Sequence, residues 1–221
     1  MPREALVKID NDIPFEHAAL FGCGVVTGVG AVINTANARE EDSVAIVGLG
    51  GVGLSALLAS MAVGSKKTIA IDLSDEKLTL ARELGADHTL NPKDENFLEE
   101  MRDLTFGGAN IAIETAGSGR ALETAYEITR RGGTTVAAGM PGPGVNITLS
   151  HLSIAAEERV LKGSYMGSCV AQRDIPKYLN MFQTGKLPVD RLLSRKIKFE
   201  DLNEAMDRLD DAKTVREVLI P

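Results

Sequence analysis

The sequence predicts an α/β protein built on a doubly wound parallel sheet, and three observations carry that expectation. From about residue 43 short β-rich apolar runs alternate with helical runs. The strand segments are short and almost wholly apolar, as strands buried on both faces are. The chain has 221 residues, 44% of them hydrophobic and 25% charged, which suits one large domain with appendages and a sizeable core.

The first strand is Ser43–Val47, ending at glycine. Leu54 to Val63 is nearly all small or apolar, as a helix lying on a sheet would be. Thr68–Ile71 is the second strand and ends at Asp72. Ser74 is a good N-cap, Asp75 and Glu76 suit the positive end of a helix dipole, and Gly85 stops the helix. Its inward face is Leu78, Ala81 and Leu84. His88–Leu90 is a short third strand. Asp94–Leu104 reads as a helix with Phe97, Leu98 and Met101 inward. Ile111–Ile113 is a strand, Ala121–Arg131 a helix and Thr135–Ala138 a strand.

After Gly139 the pattern changes. Met140–Gly144 is turn-rich, and Val145–Leu149 alternates as a half-exposed edge strand would. A helix near Asp174–Thr184 turns Ile175, Tyr178, Leu179 and Phe182 inward. A strand near Lys196–Phe199, a helix near Asp201–Leu209 and a last strand near Val215–Ile220 follow. This tail and residues 1–30 flank the βαβ core as parts of a second unit.

The formal net charge of −7 argues against nucleic acid or an anionic membrane as the main partner. No apolar run approaches the roughly 20 residues of a membrane helix. Two cysteines, Cys23 and Cys169, make neither a disulfide framework nor a closed zinc site, and a cytoplasmic location is expected. The first residues, MPREALVKIDND, are charged and do not read as a signal peptide.

The strongest motif is Gly48-Leu49-Gly50-Gly51-Val52-Gly53. Among 22 glycines a bare GxGxxG means little, but here a strand enters, a helix leaves, and Asp72 closes the next strand 19 positions after Gly53. Gly48 permits the turn, Gly50 admits a pyrophosphate to the backbone, and Gly53 lets the helix lie close to the strand. The helix N-terminus offers N–H groups to a diphosphate. Asp72 can accept from both ribose hydroxyls and repels a 2′-phosphate, so NAD is the expected cofactor. Lys77 is either a neighbour of that ribose or a solvated helix lysine.

Cys23, in LFGCGVVTGVGAV, is ambiguous by itself. It reads as a small buried residue or as a metal ligand without partners at ligand spacing. Thr27 is expected to satisfy its hydroxyl on local backbone. Cys169 reads as structural.

These segments together resemble the zinc-dependent medium-chain alcohol dehydrogenases, from their second domain to the C-terminus. LFGCGVVTGVGAV resembles the stretch with the family's last catalytic zinc ligand, and VAIVGLGGVGLSA its glycine turn. IAIDLSDEKLTLARELGADHTLNP resembles its ribose-binding region. IETAG, VAAGMP and LKGSYMGS are similar to later cofactor-contact positions, and LNEAMDRLDDAKTVREVLIP to its C-terminal helix and strand.

The resemblance implies an NAD-binding Rossmann domain over 31–165. Residues 1–30 would be a remnant of the catalytic domain and linker, and 166–221 a segment returning to that domain. Cys23 would be a zinc thiolate ligand, and Thr27 would contact the nicotinamide. Asp72 and Lys77 would hold the adenosine ribose, and Gly48, Gly50, Gly51, Val52 and Gly53 the diphosphate. Ala138, Ser164 and Met166 would meet the carboxamide, and Arg216 the ribose-phosphate region. A homodimer would form through an edge strand near Ile147.

The family's other zinc ligands and its proton relay are not in this sequence. Cys23 is therefore expected to be a ligand whose partners lie on a domain this sequence lacks, since a catalytic zinc takes three protein ligands. In the complete enzyme a hydride would pass between a small alcohol or aldehyde and NAD. The isolated chain is expected to bind NAD and turn over nothing. The alternatives are a non-catalytic NAD-binding module and a chain completed by a partner that supplies the ligands, to which residues 1–30 and 166–221 would present apolar surface.

Overall fold

The computed structural model describes residues 6–210 and 214–220. Its main sheet has six strands, all parallel: β1 (Ser43–Val47), β2 (Lys67–Ile71), β3 (His88–Leu90), β4 (Ala109–Glu114), β5 (Thr129–Ala137) and β6 (Val160–Gly163). The spatial order β3-β2-β1-β4-β5-β6 reverses direction between β1 and β4, as expected of a doubly wound sheet. The register pairs Val47 with both Ile71 and Glu114, so the C-terminal ends of β2, β1 and β4 lie side by side.

β1 is buried at all five positions, which is why it reads as an unbroken apolar run. Helix α3 (Gly51–Val63) is equally legible, because it is buried between the sheet and helix α2 (Gly24–Gly30). A short first helix, α1 (Phe15–Ala18), precedes them. The α2–α3 packing is backbone-close: a Cβ on Gly28 would overlap the Val52 carbonyl oxygen and come within 2.8 Å of the Ala56 nitrogen. Helix α4 (Asp75–Leu84) carries both expected end signals. Ser74 Oγ accepts the Lys77 N–H, and Gly85 sits at φ +113°.

Four sequence expectations are corrected. Helix α5 (Phe97–Thr105) begins three residues later than 94, because Asp94 and Phe97 donate into turns closed by Asn91 and Asp94. Helix α6 (Gly119–Glu127) ends before 131. Thr129 Oγ1 bonds both the Ala125 carbonyl and Thr135 Oγ1, so it closes the helix and opens β5. The strand expected at Lys196–Phe199 is β7 (Leu193–Ile197), paired in parallel with β8 (Arg216–Leu219).

The largest correction concerns Val145–Leu149, which is not a strand. Its alternation arises because Val145 and Ile147 lean on Gly119, where α6 begins. Thr148 N donates to the Glu123 side chain rather than to a ladder. The sheet edge is β6 instead, whose four residues are all exposed. A dimer contact near Ile147 would therefore not start from a strand already formed in this chain.

The remaining helices are α7 (His151–Ala156), α8 (Ala171–Gln183) and α9 (Leu202–Asp210). One core cluster joins Leu20, Phe21 and Val25 to Leu57, Ile113 and Tyr178, so the chain's ends pack on its centre. Phe15, Phe199 and Met206 stay exposed, in the two flanking segments where apolar surface was expected. Among the described residues no single helix is long and apolar enough to cross a membrane.

Candidate functional site

The C-terminal ends of the strands form the candidate site. The β1–α3 turn shows three different reasons for its three spaced glycines. Gly48 is at φ +93°, and a Cβ there would sit 2.7 Å from the Ala116 Cβ. A Cβ on Gly53 would overlap the Gly48 carbonyl oxygen and press on Thr115 Oγ1 at 2.7 Å. Around Gly50 a Cβ would meet nothing within 4 Å, so no contact inside the chain demands glycine there. The open space over Gly50 lies at the N-terminus of α3, the end of a helix whose free N–H groups favour an anion. Val52 is half-buried on the first turn of α3, its carbonyl facing Gly28.

Asp72 is tied to this turn. Its Oδ2 accepts the Leu49 N–H at 2.6 Å and its Oδ1 accepts the Ser74 N–H at 3.0 Å. The carboxylate is thus held at the mouth of a crevice of about 650 Å³, lined also by Lys77, Ala116, Ser118, Arg120 and Lys93. The structure brings Asp72 and Lys77 together there. Lys93 and Arg120 were not anticipated, because they stand in a loop and a first helical turn whose placement no local pattern encodes.

Arg216 reaches the turn from the far end of the chain. A Cβ on Gly24 would come within 2.9 Å of the Arg216 Cζ, and one on Gly51 within 2.6 Å of its Nη2. The guanidinium therefore lies against the N-termini of both α2 and α3. Gly24 was missed by sequence reasoning, since its constraint is a side chain 192 positions away. Glu217 forms a bidentate pair with Arg208, at 2.9 and 2.8 Å, which joins β8 to α9.

The far wall is built from Ala138, Ser164 and Met166. Ala138 N donates to the Glu114 carbonyl at 2.9 Å, and Ser164 N to the Ala137 carbonyl at 2.9 Å. Ser164 Oγ is 2.8 Å from Thr35 Oγ1. Met166, Gly167 and Ser168 all have left-handed φ, at +49°, +66° and +48°. Thr27 is buried and donates to the Cys23 carbonyl at 2.9 Å, as local satisfaction predicted, and it also lies 3.8 Å from Met166 Sδ.

A buried network holds that left-handed loop. Asn34 Nδ2 lies within 3.2 Å of the Gly167 carbonyl, Asp174 Oδ2 and the Tyr178 hydroxyl. Asp174 also accepts the Val170 N–H at 2.8 Å and both Arg173 donors at 2.6 and 2.9 Å. The Arg173 hydrogen bond holds the Asp174 carboxyl below its ordinary range, and burial pushes the Tyr178 hydroxyl up to about 12.

A carboxyl whose folded pKa is lowered stabilises the fold above its unfolded pKa. That contribution is lost as pH falls through the folded value. Asp174→Asn is thus expected to lose about 2 kcal/mol of stability at pH 7, and the deficit against wild type is expected to shrink below pH 4. Urea midpoints at pH 7 and pH 3 measure both; an equal deficit at the two values overturns it.

Cys23 is exposed, not a buried filler, and shares a cavity of about 330 Å³ with Gly24 and Arg216. Among the described residues no group of three or more His, Cys, Asp and Glu is placed to hold a metal ion. One thiolate does not make a zinc site, so the zinc does not fit the residues this chain supplies. Cys169 is half-buried beside Asp174, and burial raises its thiol pKa.

Comparison with known proteins identifies the family. The model of the zinc-binding dehydrogenase family matches residues 51–184, more than half of the chain.

This chain belongs to the zinc-binding dehydrogenases.

Within that family it is 31% identical to the S-(hydroxymethyl)glutathione dehydrogenase of Paracoccus denitrificans, covering 100% of this chain and 60% of that protein. It is 35% identical to the geraniol dehydrogenase of Castellaniella defragrans, covering 97% of this chain and 57% of that protein. The fold superposes on the crystal structure of benzyl alcohol dehydrogenase from Acinetobacter calcoaceticus with a TM-score of 0.93 and 31% identity, covering 96% of this chain and 59% of that one. The chain thus spans about 60% of the length of the zinc-binding dehydrogenases it matches.

Proposed function

We propose that this chain is the NAD(H)-binding portion of a zinc-type alcohol dehydrogenase, an oxidoreductase acting on a small alcohol or aldehyde. The observation that carries the reading is the open cradle over Gly50, between the α3 N-terminus and the Arg216 guanidinium, with Asp72 at the far end of the same turn. Bound NAD supplies a nicotinamide that accepts or gives a hydride.

The chain's own residues bind and orient it. Gly48, Gly50, Gly51, Val52 and Gly53 with Arg216 receive the diphosphate. Asp72 accepts from the adenosine ribose hydroxyls, and Lys77 stands beside it. Ala138, Ser164 and Met166 offer backbone groups to the carboxamide, and Thr27 flanks the nicotinamide. Residues 31–165 then act as the cofactor domain, with 1–30 and 166–221 as the segments that lead to a catalytic domain. Cys23 would serve zinc only together with ligands from such a domain, so no step through zinc is assigned to this chain. Self-association is part of the reading, supported by the open edge of β6. So is a cytoplasmic location, supported by two free cysteines.

The test is a titration of the purified chain with NADH and NADPH, read by nicotinamide fluorescence. NADH is expected to bind and NADPH to bind more weakly. With zinc and ethanol added, no turnover is expected. Binding of neither nucleotide overturns the cofactor reading, and turnover overturns the division of labour.

A further inference from the structure

Glu114 is 2% exposed and sits at the last position of β4, beside the point where the sheet reverses direction. Its side chain does not face solvent, as a charge ending a strand usually does. Oε1 accepts the Gly117 N–H at 2.5 Å, and the backbone N–H groups of Ala116, Ser118 and Gly139 favour its charged form. Its main-chain carbonyl accepts from Ala138 at 2.9 Å and from Gly139 at 3.0 Å. One residue thus bonds to both the β4–α6 loop and the segment leaving β5.

At their closest approach the two segments are glycines, Gly117 and Gly139, with no side chain to lock them together. Gly117 is at φ +70°, and a Cβ there would press on the Met140 carbonyl oxygen at 2.7 Å. A Cβ on Gly139 would lie 2.7 Å from both Glu114 Oε1 and the Gly117 Cα. Their backbones touch, and the carboxyl group fills the space between them. The influences on that carboxyl are burial, the largest, which raises its pKa, followed by four backbone N–H groups that lower it. A buried carboxyl without an ion pair is expensive to keep, and what it provides is a side-chain acceptor for the turn that holds Gly117.

The two segments leave neighbouring strands at the C-terminal end of the sheet, where the candidate site lies. Ala116 and Ser118 line the crevice that holds Asp72, while Ala138 continues toward Ser164. We propose that Glu114 is a positioning residue that clamps the adenosine-side wall to the nicotinamide-side wall and so sets the distance a dinucleotide must span. The role in cofactor geometry rests on the NAD reading above, whereas the clamp itself does not.

The test uses the full chain as wild type, Glu114→Gln and Glu114→Ala. Amide hydrogen exchange is followed at Ala116, Gly117, Ser118 and Gly139, and NADH and ADP-ribose affinities are measured beside it. Glutamine keeps the shape and one acceptor oxygen, but loses the charge and replaces the other oxygen with a donor. Both variants are expected to exchange faster at Ala116, Gly117 and Ser118, and not in β1 or β2; Gly139, whose N–H also donates to the main-chain carbonyl of residue 114, is expected to change less. NADH binding should weaken about tenfold while ADP-ribose changes by less than about twofold, because only NADH must reach both walls.

Wild-type exchange at Ala116, Gly117 and Ser118 in both variants overturns the clamp. Equal losses for NADH and ADP-ribose, or a Glu114→Gln chain that does not fold, reduce Glu114 to a structural residue and overturn the proposal too. If wild type binds neither nucleotide, the cofactor reading fails and the exchange data alone decide the clamp.

Discussion

Replacing Asp72 with alanine is expected to weaken NADH binding about 100-fold, with NADPH affected far less. The carboxylate is fixed by the Leu49 and Ser74 N–H groups, so its free lone pairs face the crevice without further ordering. Each ribose hydroxyl bonded to a charged acceptor contributes about 1.5–3 kcal/mol, and losing two accounts for the size of the effect. The repulsion that disfavours a 2′-phosphate disappears with the charge, so the NADH preference narrows. Asp72→Asn separates charge from shape, because one amide oxygen can still accept from the turn. It should bind NADH more weakly than wild type and more tightly than the alanine variant. Fluorescence titration checks the series, and unchanged NADH affinity in Asp72→Ala removes Asp72 from the site.

Gly53→Ala is expected to be the most disruptive single-atom addition in the turn. The new Cβ would overlap the Gly48 carbonyl oxygen, and that oxygen already accepts from Thr115 Oγ1 at 2.6 Å, so neither partner has room to move. Overpacking a site bounded by backbone costs about 1–3 kcal/mol, and here the upper end is expected. Helix α3 must shift off β1, which carries its N-terminus away from any diphosphate, so NADH affinity should fall with stability. Gly50→Ala is the control. Its Cβ enters open space, so stability should hold while a phosphate is kept from the backbone. Urea midpoints and NADH titrations on the two variants measure this. Equal loss of stability in both contradicts the distinct roles of the glycines.

The parts of the fold that were legible in the sequence are those whose causes are local. Strands β1 and β2 read as apolar runs because both their faces are covered. The ends of α4 were marked by Ser74 and Gly85, each of which acts on its own helix. The edge was misread because Val145–Leu149 alternates for a reason other than strand pairing, while β6 is exposed throughout and has no period to reveal it. The boundary of α6 was missed because Thr129 ends it through a bond to Thr135, an event of the β5 bulge.

The candidate site divides in the same way. By itself the sequence determined the strand–turn–helix order, the spacing of Gly48, Gly50 and Gly53, and the acid that closes the next strand, because these act within one βαβ unit. Tertiary structure alone decided that Arg216 would meet Gly51, that Asn34 and Asp174 would brace the left-handed loop, and that Glu114 would turn inward between two walls. Arg216 and Asn34 meet partners more than a hundred positions away, and Glu114 meets two loops on neighbouring strands. Such contacts form only when helices and strands have packed, so no local pattern of residues announces them.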